Sequence, residues 1–160
     1  MILSASRRTD IPNYYSAWFL KRLEEGFVCV RNPFNPRQVS RITLSPATID
    51  CIVFWTKNPG PLLEQIDRLQ QYTYYFQFTL NPYGRDIEPQ VPGKATAGLD
   101  LFRRLAEKVG RERVRWRYDP VLCNDRYTVA YHLQYFGKLA ARLGGYTESC
   151  TISFLDLYRH

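Results

Sequence analysis

The chain has 160 residues, 45% of them hydrophobic, and a formal net charge of +7. This length and apolar content are typical of one domain with a sizeable core and exclude wholesale disorder. No apolar run is long enough to cross a bilayer, and charged residues from Arg7 onward are unlike a signal peptide, so we expect a cytoplasmic protein without a membrane partner. The positive charge favours an anionic partner, although a merely soluble basic surface is the alternative.

The apolar pattern predicts strands that alternate with helices after an N-terminal hairpin. A short first strand begins at Ile2, and six further strands are predicted over 27–31, 38–44, 50–56, 73–80, 113–118 and 149–155. Helices are predicted over 14–25, 61–71, 95–109 and 125–143, the last with Asn124 or Asp125 as its N-cap. Such alternation indicates βαβ units and a parallel sheet, so the expected fold class is α/β.

Several predicted strands carry an apolar face and a polar face. In 113–118, for example, Val114 and Trp116 alternate with Arg115 and Arg117. A polar face that includes charge favours a curved sheet with helices outside, so we expect a partial TIM-like (β/α) barrel with an N-terminal β-hairpin insertion. An ordinary α+β sheet with one solvent-exposed face is the alternative, because alternation alone does not separate a barrel interior from solvent.

Polar residues follow the predicted strands at their carboxyl ends, where α/β proteins place their sites. Two guanidiniums beside hydroxyl groups at a helix start suit a phosphate or a carboxylate, although an Arg–Asp network that closes the barrel end is the alternative. The candidate ligand-binding residues are Ser6, Arg7, Arg8, Thr9, Asp10, Trp55, Thr56, Lys57, Asn58, Gln77, Thr79, Asn81, Arg115, Arg117 and Asp119.

Each of these candidates also has a structural interpretation. Trp55 is suited to stacking on a ring or to core packing, and Lys57 to binding an anion or to simple solvation. Gln77 and its neighbours can bond a polar ligand or one another, while a buried Arg117 needs an acid such as Asp119 or Asp156, a ligand or water. No Ser–His–Asp arrangement is present, so catalytic residues stay unknown. The loop that runs to residue 93 is long enough to suggest function.

The four cysteines are Cys29, Cys51, Cys123 and Cys150, and none belongs to a CxxC motif or to a zinc-type Cys/His spacing. Three of them lie in apolar, strand-like runs. We therefore expect reduced and mostly buried thiols and no metal site.

Six segments in chain order resemble the bacterial family called domain of unknown function 1848: SASRRTDIP, VRNPFNP, IVFWTKNP, FQFTLNPYG, RYDPVL and TISFLDLY. The resemblance covers essentially the whole chain and implies a cytoplasmic protein of unassigned function on a TIM-like barrel. It also implies that full-length members continue into a cysteine cluster similar to that of radical SAM enzymes, with an iron–sulfur cluster and S-adenosylmethionine as cofactors. The cysteines of this chain match no part of that motif. We therefore expect no cofactor in this chain and interpret residues 1–160 as a single, truncated domain, an incomplete barrel.

Three functions remain open. The first is the barrel domain of a radical-SAM-like enzyme, inactive in this truncated form, that binds an anionic small molecule at the strand ends. The second is a basic nucleic-acid-binding module, suggested by the net charge and by 15% aromatic residues, and the third is a non-catalytic scaffold. Because Ile152 and Phe154 on the last predicted strand lack a covering helix, we also expect a homodimer or higher oligomer.

Overall fold

The computed structural model describes residues 1–6, 9–91 and 94–155. The strands are β1 (Ile2–Ala5), β2 (Phe27–Arg31), β3 (Val39–Thr43), β4 (Cys51–Thr56), β5 (Tyr74–Thr79), β6 (Val114–Val121) and β7 (Cys150–Phe154). The α-helices are α1 (Ile11–Tyr14), α2 (Ser16–Glu25), α3 (Gly60–Leu63), α4 (Lys94–Val109) and α5 (Val129–Leu143), with 3-10 helices at Ile66–Leu69 and Arg111–Arg113. None of the helices in these ranges has both the length and the apolarity needed to span a membrane.

Five parallel strands form the central sheet in the order β1-β4-β5-β6-β7, so neighbours in the sheet follow one another in the chain apart from the hairpin. This confirms the α/β class. Because the strands are parallel, all their carboxyl ends lie at one edge of the sheet. The order is that of consecutive barrel strands, and closure into a barrel stays a prediction.

The predicted hairpin insertion is confirmed. β2 and β3 pair antiparallel in a separate two-stranded sheet, from Phe27 opposite Thr43 to Arg31 opposite Val39. The partly buried Val28 pairs with Ile42, and both pack against the main core. The hairpin is therefore attached to the domain by one face and leaves its other face to solvent.

Aromatic rings fill the core between the sheet and its helices. The ring pairs that join helix to strand are Phe19 with Phe54, Phe102 with Phe78 and Phe136 with Trp116, at centroid distances of 5.6, 5.0 and 5.0 Å. These pairs come from α2, α4 and α5 in turn, and the strand partners all lie on the same face of the sheet. One face therefore carries the packing, and the other is the polar face, formed by Trp55, Tyr75, Gln77, Thr79, Arg115 and Arg117.

Three predicted helices differ from the observed ones. The segment predicted as one helix over 14–25 contains the end of α1 and the whole of α2, with Tyr15 between them. The helix predicted over 125–143 begins at Val129, and its N-cap is Thr128, whose side chain accepts from the backbone N–H of Tyr131 at 3.2 Å. The predicted cap at Asn124 is wrong because its Oδ1 accepts from the N–H groups of the next turn, including that of Tyr127 at 2.8 Å. The segment 61–71 divides into α3 and a 3-10 helix.

The apolar face of β7 is open to solvent in the single chain. Ile152 and Phe154 are 49% and 74% exposed. This matches the exposure expected for an uncovered last strand, and the oligomeric state stays a prediction.

Substituting alanine for a buried phenylalanine, Phe76, and for an exposed one, Phe34, tests which residues form the core. Phe76 is fully buried and stacks on Phe54 at 5.1 Å, whereas Phe34 is 95% exposed. We expect Phe76→Ala to lower the free energy of unfolding by about 3–5 kcal/mol, because it removes buried surface and leaves a cavity. Phe34→Ala should change it by less than about 0.5 kcal/mol. Urea denaturation followed by circular dichroism measures both, and similar losses would contradict the fold.

Candidate functional site

Asp10 organises the loops that follow β1 and β4. One carboxylate oxygen accepts from the backbone N–H of Asn13 at 3.0 Å and caps α1. The other accepts from the Thr56 hydroxyl at 2.9 Å and from the N–H of Lys57 at 2.8 Å. Burial raises the pKa of Asp10 above its ordinary value, against these hydrogen bonds, which lower it. The Asp10 carboxylate is therefore used within the protein, by two backbone N–H groups and one hydroxyl.

The neighbouring candidates join the same network. The Ser6 hydroxyl accepts from the N–H of Ile11 at 3.2 Å, and Ser6 adopts a φ of 124°, which non-glycine residues rarely do. Asn58 donates to the Asn13 side chain at 2.8 Å. Thr9 is exposed. Two candidates, Arg7 and Arg8, and the acid Asp156 lie outside the described residues.

The ends of β5 and β6 are joined by a reciprocal pair of hydrogen bonds. Asn81 donates from its amide to the carbonyl of Asp119 at 2.8 Å and accepts from the N–H of Asp119 at 3.0 Å. Because both groups of the Asn81 amide are engaged, this candidate positions the strand ends and has little capacity left for a ligand.

Arg117 and Asp119 form an ion pair on the polar face. Arg117 donates from Nε to Asp119 at 2.9 Å, and the Ser153 hydroxyl donates to the same carboxylate. The Arg117 guanidinium also lies 4.6 Å from the centroid of the Trp55 ring, a cation–π contact. The expected neutralisation of Arg117 by Asp119 is therefore present, and Ser153, which sequence reasoning missed, completes it.

Asp119 is held as a carboxylate by these partners. Burial raises its pKa, but the hydrogen bonds from Ser153 and Arg117 and the positive charges of Arg117 and Lys57 outweigh burial and leave the pKa below its ordinary value.

Gln77 and Arg115 lie farther from the strand ends. Gln77 is 9% exposed, and its buried Oε1 has no hydrogen-bond partner among the described residues. Arg115 is exposed and its guanidinium lies 5.3 Å from the centroid of the Tyr75 ring. Neither residue lines the cleft described next, but Gln77 is opposite Trp55 on β4 and opposite Arg115 on β6, so both lie among the candidates of the polar face.

An open cleft of about 960 Å³ lies at the carboxyl edge of the sheet, between the loop after β5 and the first turns of α4. We call it the edge cleft. Four predicted candidates line it: Lys57, Asn58, Thr79 and Asn81. Its other polar lining residues, which sequence reasoning missed, are Arg85, Glu88, Thr96, Asp100, Arg104 and Arg126.

Ion pairs shape the wall of the edge cleft. Lys57 pairs with Glu88, whose side chain is nearly buried, and this pair ties the end of β4 to the loop after β5. Arg126 pairs with Asp86 at 3.0 Å. The Tyr127 hydroxyl donates to Asp86 at 2.7 Å, which holds the pKa of that carboxyl below its ordinary value.

A cluster of tyrosines and one histidine supports the same wall. His132 is buried in α5, and its Nε2 lies 2.9 Å from the carbonyl oxygen of Leu122, which can only accept. Nε2 therefore carries the proton, and Nδ1 accepts from the Tyr118 hydroxyl at 2.7 Å. The Tyr83 hydroxyl donates to the carbonyl of Pro120 at 2.6 Å and accepts from the N–H of Leu122 at 2.8 Å. These contacts fix the loop after β6 against the loop after β5.

The cysteines do not fit an iron–sulfur ligand set. Cys29, Cys123 and Cys150 are exposed and Cys51 is half-buried, so the expectation of mostly buried thiols is wrong. Cys29 lies on β2, Cys51 on β4, Cys123 in the loop after β6 and Cys150 on β7, so the four thiols belong to four different elements. In the part of the chain that the structure describes, no group of three or more His, Cys, Asp or Glu side chains is arranged to hold a metal ion.

Comparison with known proteins gives one match. A family model described as a domain of unknown function (DUF1848) matches residues 2–160. The chain belongs to this family. This confirms the resemblance seen in the six segments. Neither the curated proteins nor the solved structures include a match to the chain.

The lowered pKa of Asp119 predicts how the stability of this DUF1848 domain depends on pH. We expect Asp119→Asn to lower the free energy of unfolding at pH 7 by about 1–3 kcal/mol, because charge-assisted hydrogen bonds are lost. Since the folded-state pKa is below the ordinary value of 3.8, this stabilisation is complete above pH 3.8 and is lost as the pH falls through the folded-state pKa. Urea denaturation of both proteins between pH 7 and pH 3 tests it.

Asp67→Asn is the matched control, because Asp67 pairs with Lys108 at 3.0 Å on the surface. We expect a loss of less than about 1 kcal/mol. A pH-independent difference between wild type and Asp119→Asn would show that the carboxylate charge is not what matters.

Tyr118→Phe tests the support of the cleft wall. It leaves the buried Nδ1 of His132 without a donor, so we expect a loss of about 1–3 kcal/mol in unfolding free energy. Tyr14→Phe removes an exposed hydroxyl that donates to Gln90 at 3.2 Å and should change stability by less than about 0.5 kcal/mol. In ¹⁵N NMR of the wild type, His132 should show the Nε2-protonated tautomer. The opposite tautomer would refute this hydrogen-bond arrangement.

Proposed function

We propose that this DUF1848 domain binds an anionic small molecule, one that carries a phosphate or a carboxylate, in the edge cleft. The observation that carries the proposal is the basic lining of the cleft. Four basic and two acidic side chains line it: Lys57, Arg85, Arg104 and Arg126 against Glu88 and Asp100.

The ion pairs determine which of these charges are available to a ligand. Lys57 is paired with Glu88 and Arg126 with Asp86. Within the described residues, Arg85 and Arg104 have no carboxylate within ion-pair distance. These two guanidiniums are the best candidates for direct contact, since arginine binds phosphate and carboxylate in a planar, bidentate geometry.

The first turns of α4 add a second favourable feature. Thr96, Ala97 and Gly98 line the cleft, and α4 runs over 16 residues. The first N–H groups of a helix lack intrahelical acceptors, and the helix dipole adds partial positive charge there. A Cβ at Gly98 would lie 2.7 Å from Cδ1 of Leu80, so glycine allows this turn to approach the end of β5. The first turn and the arginines together favour an anion.

The walls of the cleft are well supported, which lowers the entropic cost of binding. On one side Tyr83 and Tyr127 hold the loop after β5 through hydrogen bonds to Leu122 and to the N–H of Gly84. The proposal is confined to binding. Because the cysteines do not fit a cluster, no step is assigned to an iron–sulfur centre or to S-adenosylmethionine.

Isothermal titration with inorganic pyrophosphate and with citrate tests the proposal. We expect wild type to bind at least one of them, and Arg85→Gln/Arg104→Gln to bind at least tenfold more weakly, since each charged hydrogen bond contributes about 1.5–3 kcal/mol. Both arginines are on the surface, so the variant should fold normally.

The matched control is Arg111→Gln/Arg142→Gln, which removes the same charge from exposed positions outside both the edge cleft and the hairpin. It should bind as wild type does. No heat with either anion, or an equal loss in both variants, would refute the edge cleft as the binding site.

A further inference from the structure

The hairpin formed by β2 and β3 is a basic surface that the edge cleft does not involve. Residues 26–49 contain three arginines, Arg31, Arg37 and Arg41, and no acidic residue. The acids that flank this segment are Glu25, paired with Arg22 at 2.7 Å, and Asp50, paired with the amino group of Met1. The hairpin therefore carries only positive side-chain charge, which attracts a polyanion.

Two of the arginines share the exposed face of the hairpin. Arg41 is opposite Cys29 and Arg31 is opposite Val39. Arg31 and Arg41 are therefore diagonal neighbours on one face, with their Cα atoms about 7–8 Å apart. The Arg41 guanidinium lies 4.2 Å from the centroid of the Phe27 ring, which holds it along the surface. Because the Arg41 side chain extends towards Phe27 and therefore away from Arg31, the two guanidiniums can contact different phosphates of one strand.

The tip of the hairpin presents a single aromatic ring. Phe34 is 95% exposed, although the loop around it is ordered by hydrogen bonds. Asn32 donates from its amide to the Gln38 side chain at 2.8 Å and accepts from the N–H of Phe34 at 2.9 Å. Arg37 lies in the same loop. An exposed ring on an ordered loop loses little conformational entropy when it stacks on a partner.

We propose that this hairpin binds single-stranded nucleic acid, with Phe34 stacking on a base and Arg31, Arg37 and Arg41 contacting phosphates. Stacking on an aromatic side chain needs an unpaired base, which favours a single strand over a duplex. The residues beside Phe34 are Pro33 and Asn35, so the tip has too little apolar surface to insert into a membrane. This surface is separate from the edge cleft, and the proposal goes beyond the function proposed above.

Fluorescence polarisation with labelled dT20, rU20 and a 20-base-pair duplex tests the proposal. We expect the single strands to bind more tightly than the duplex. Phe34→Ala should weaken single-strand binding about 5- to 150-fold, the effect of losing one stacked base. The triple variant Arg31→Gln/Arg37→Gln/Arg41→Gln should reduce the slope of log K against log salt by about 2, since each phosphate contact contributes about 0.7.

The control variant Arg111→Gln/Lys138→Gln/Arg142→Gln removes the same charge elsewhere and should keep the wild-type salt slope. Thermal melts confirm that every variant is folded. Any of four results would overturn the proposal: no oligonucleotide binding at low salt, unchanged binding by Phe34→Ala, tighter binding of the duplex, or hairpin-dependent binding to phosphatidylserine vesicles without oligonucleotide binding. Because Arg85→Gln/Arg104→Gln leaves the hairpin intact, the two binding proposals can fail separately.

Discussion

Backbone groups left unpaired where the parallel strands end must find partners, and side chains from neighbouring loops supply them. Asp10 accepts from the N–H of Lys57. Asn81 bonds both the N–H and the carbonyl of Asp119. The Tyr83 hydroxyl donates to the carbonyl of Pro120 and accepts from the N–H of Leu122. Each of these contacts joins one strand end to the next. The Lys57–Glu88 ion pair adds the link between the end of β4 and the loop after β5, so the loops at the carboxyl edge are connected from β1 to β6.

The same constraint separates residues that position the site from residues that are available to a ligand. Asp10 and Asn81 looked like ligand-binding residues in the sequence, but their hydrogen-bonding groups are used within the protein. Glu88 binds Lys57, so that lysine adds less charge to the cleft than its presence suggests. Arg85, which has no carboxylate partner in the described part of the chain, is consequently a better candidate than the residues that follow the strands directly.

Periodicity predicted the strands and the hairpin well, because alternation records which side of a strand meets the core locally. Periodicity did not predict which side-chain hydrogen bonds and ion pairs form. Asn124 was a plausible cap, but its side chain closes the preceding turn and Thr128 begins α5. Glu88 and Ser153 were missed because their partners, Lys57 and Asp119, lie 31 and 34 residues away in the chain. Burial of the cysteines was predicted wrongly because an apolar run does not reveal whether a helix covers it, and β7 has an open face.

The polar face of the sheet was the feature that suggested a barrel interior, and the structure gives that polarity a more local explanation. Arg117 is neutralised by Asp119 and covers Trp55, while Arg115 covers Tyr75. The Arg117 guanidinium reaches across β5 to Trp55, whereas Arg115 lies over Tyr75 on β5 itself, and the buried Gln77 is opposite both Trp55 and Arg115. Among the residues that the structure describes, the buried Oε1 of Gln77 has no hydrogen-bond partner, which costs about 1–3 kcal/mol for a buried acceptor. Charged side chains on a strand face can therefore be satisfied within the protein, whereas in the edge cleft four basic side chains face two acidic ones and leave positive charge for a ligand.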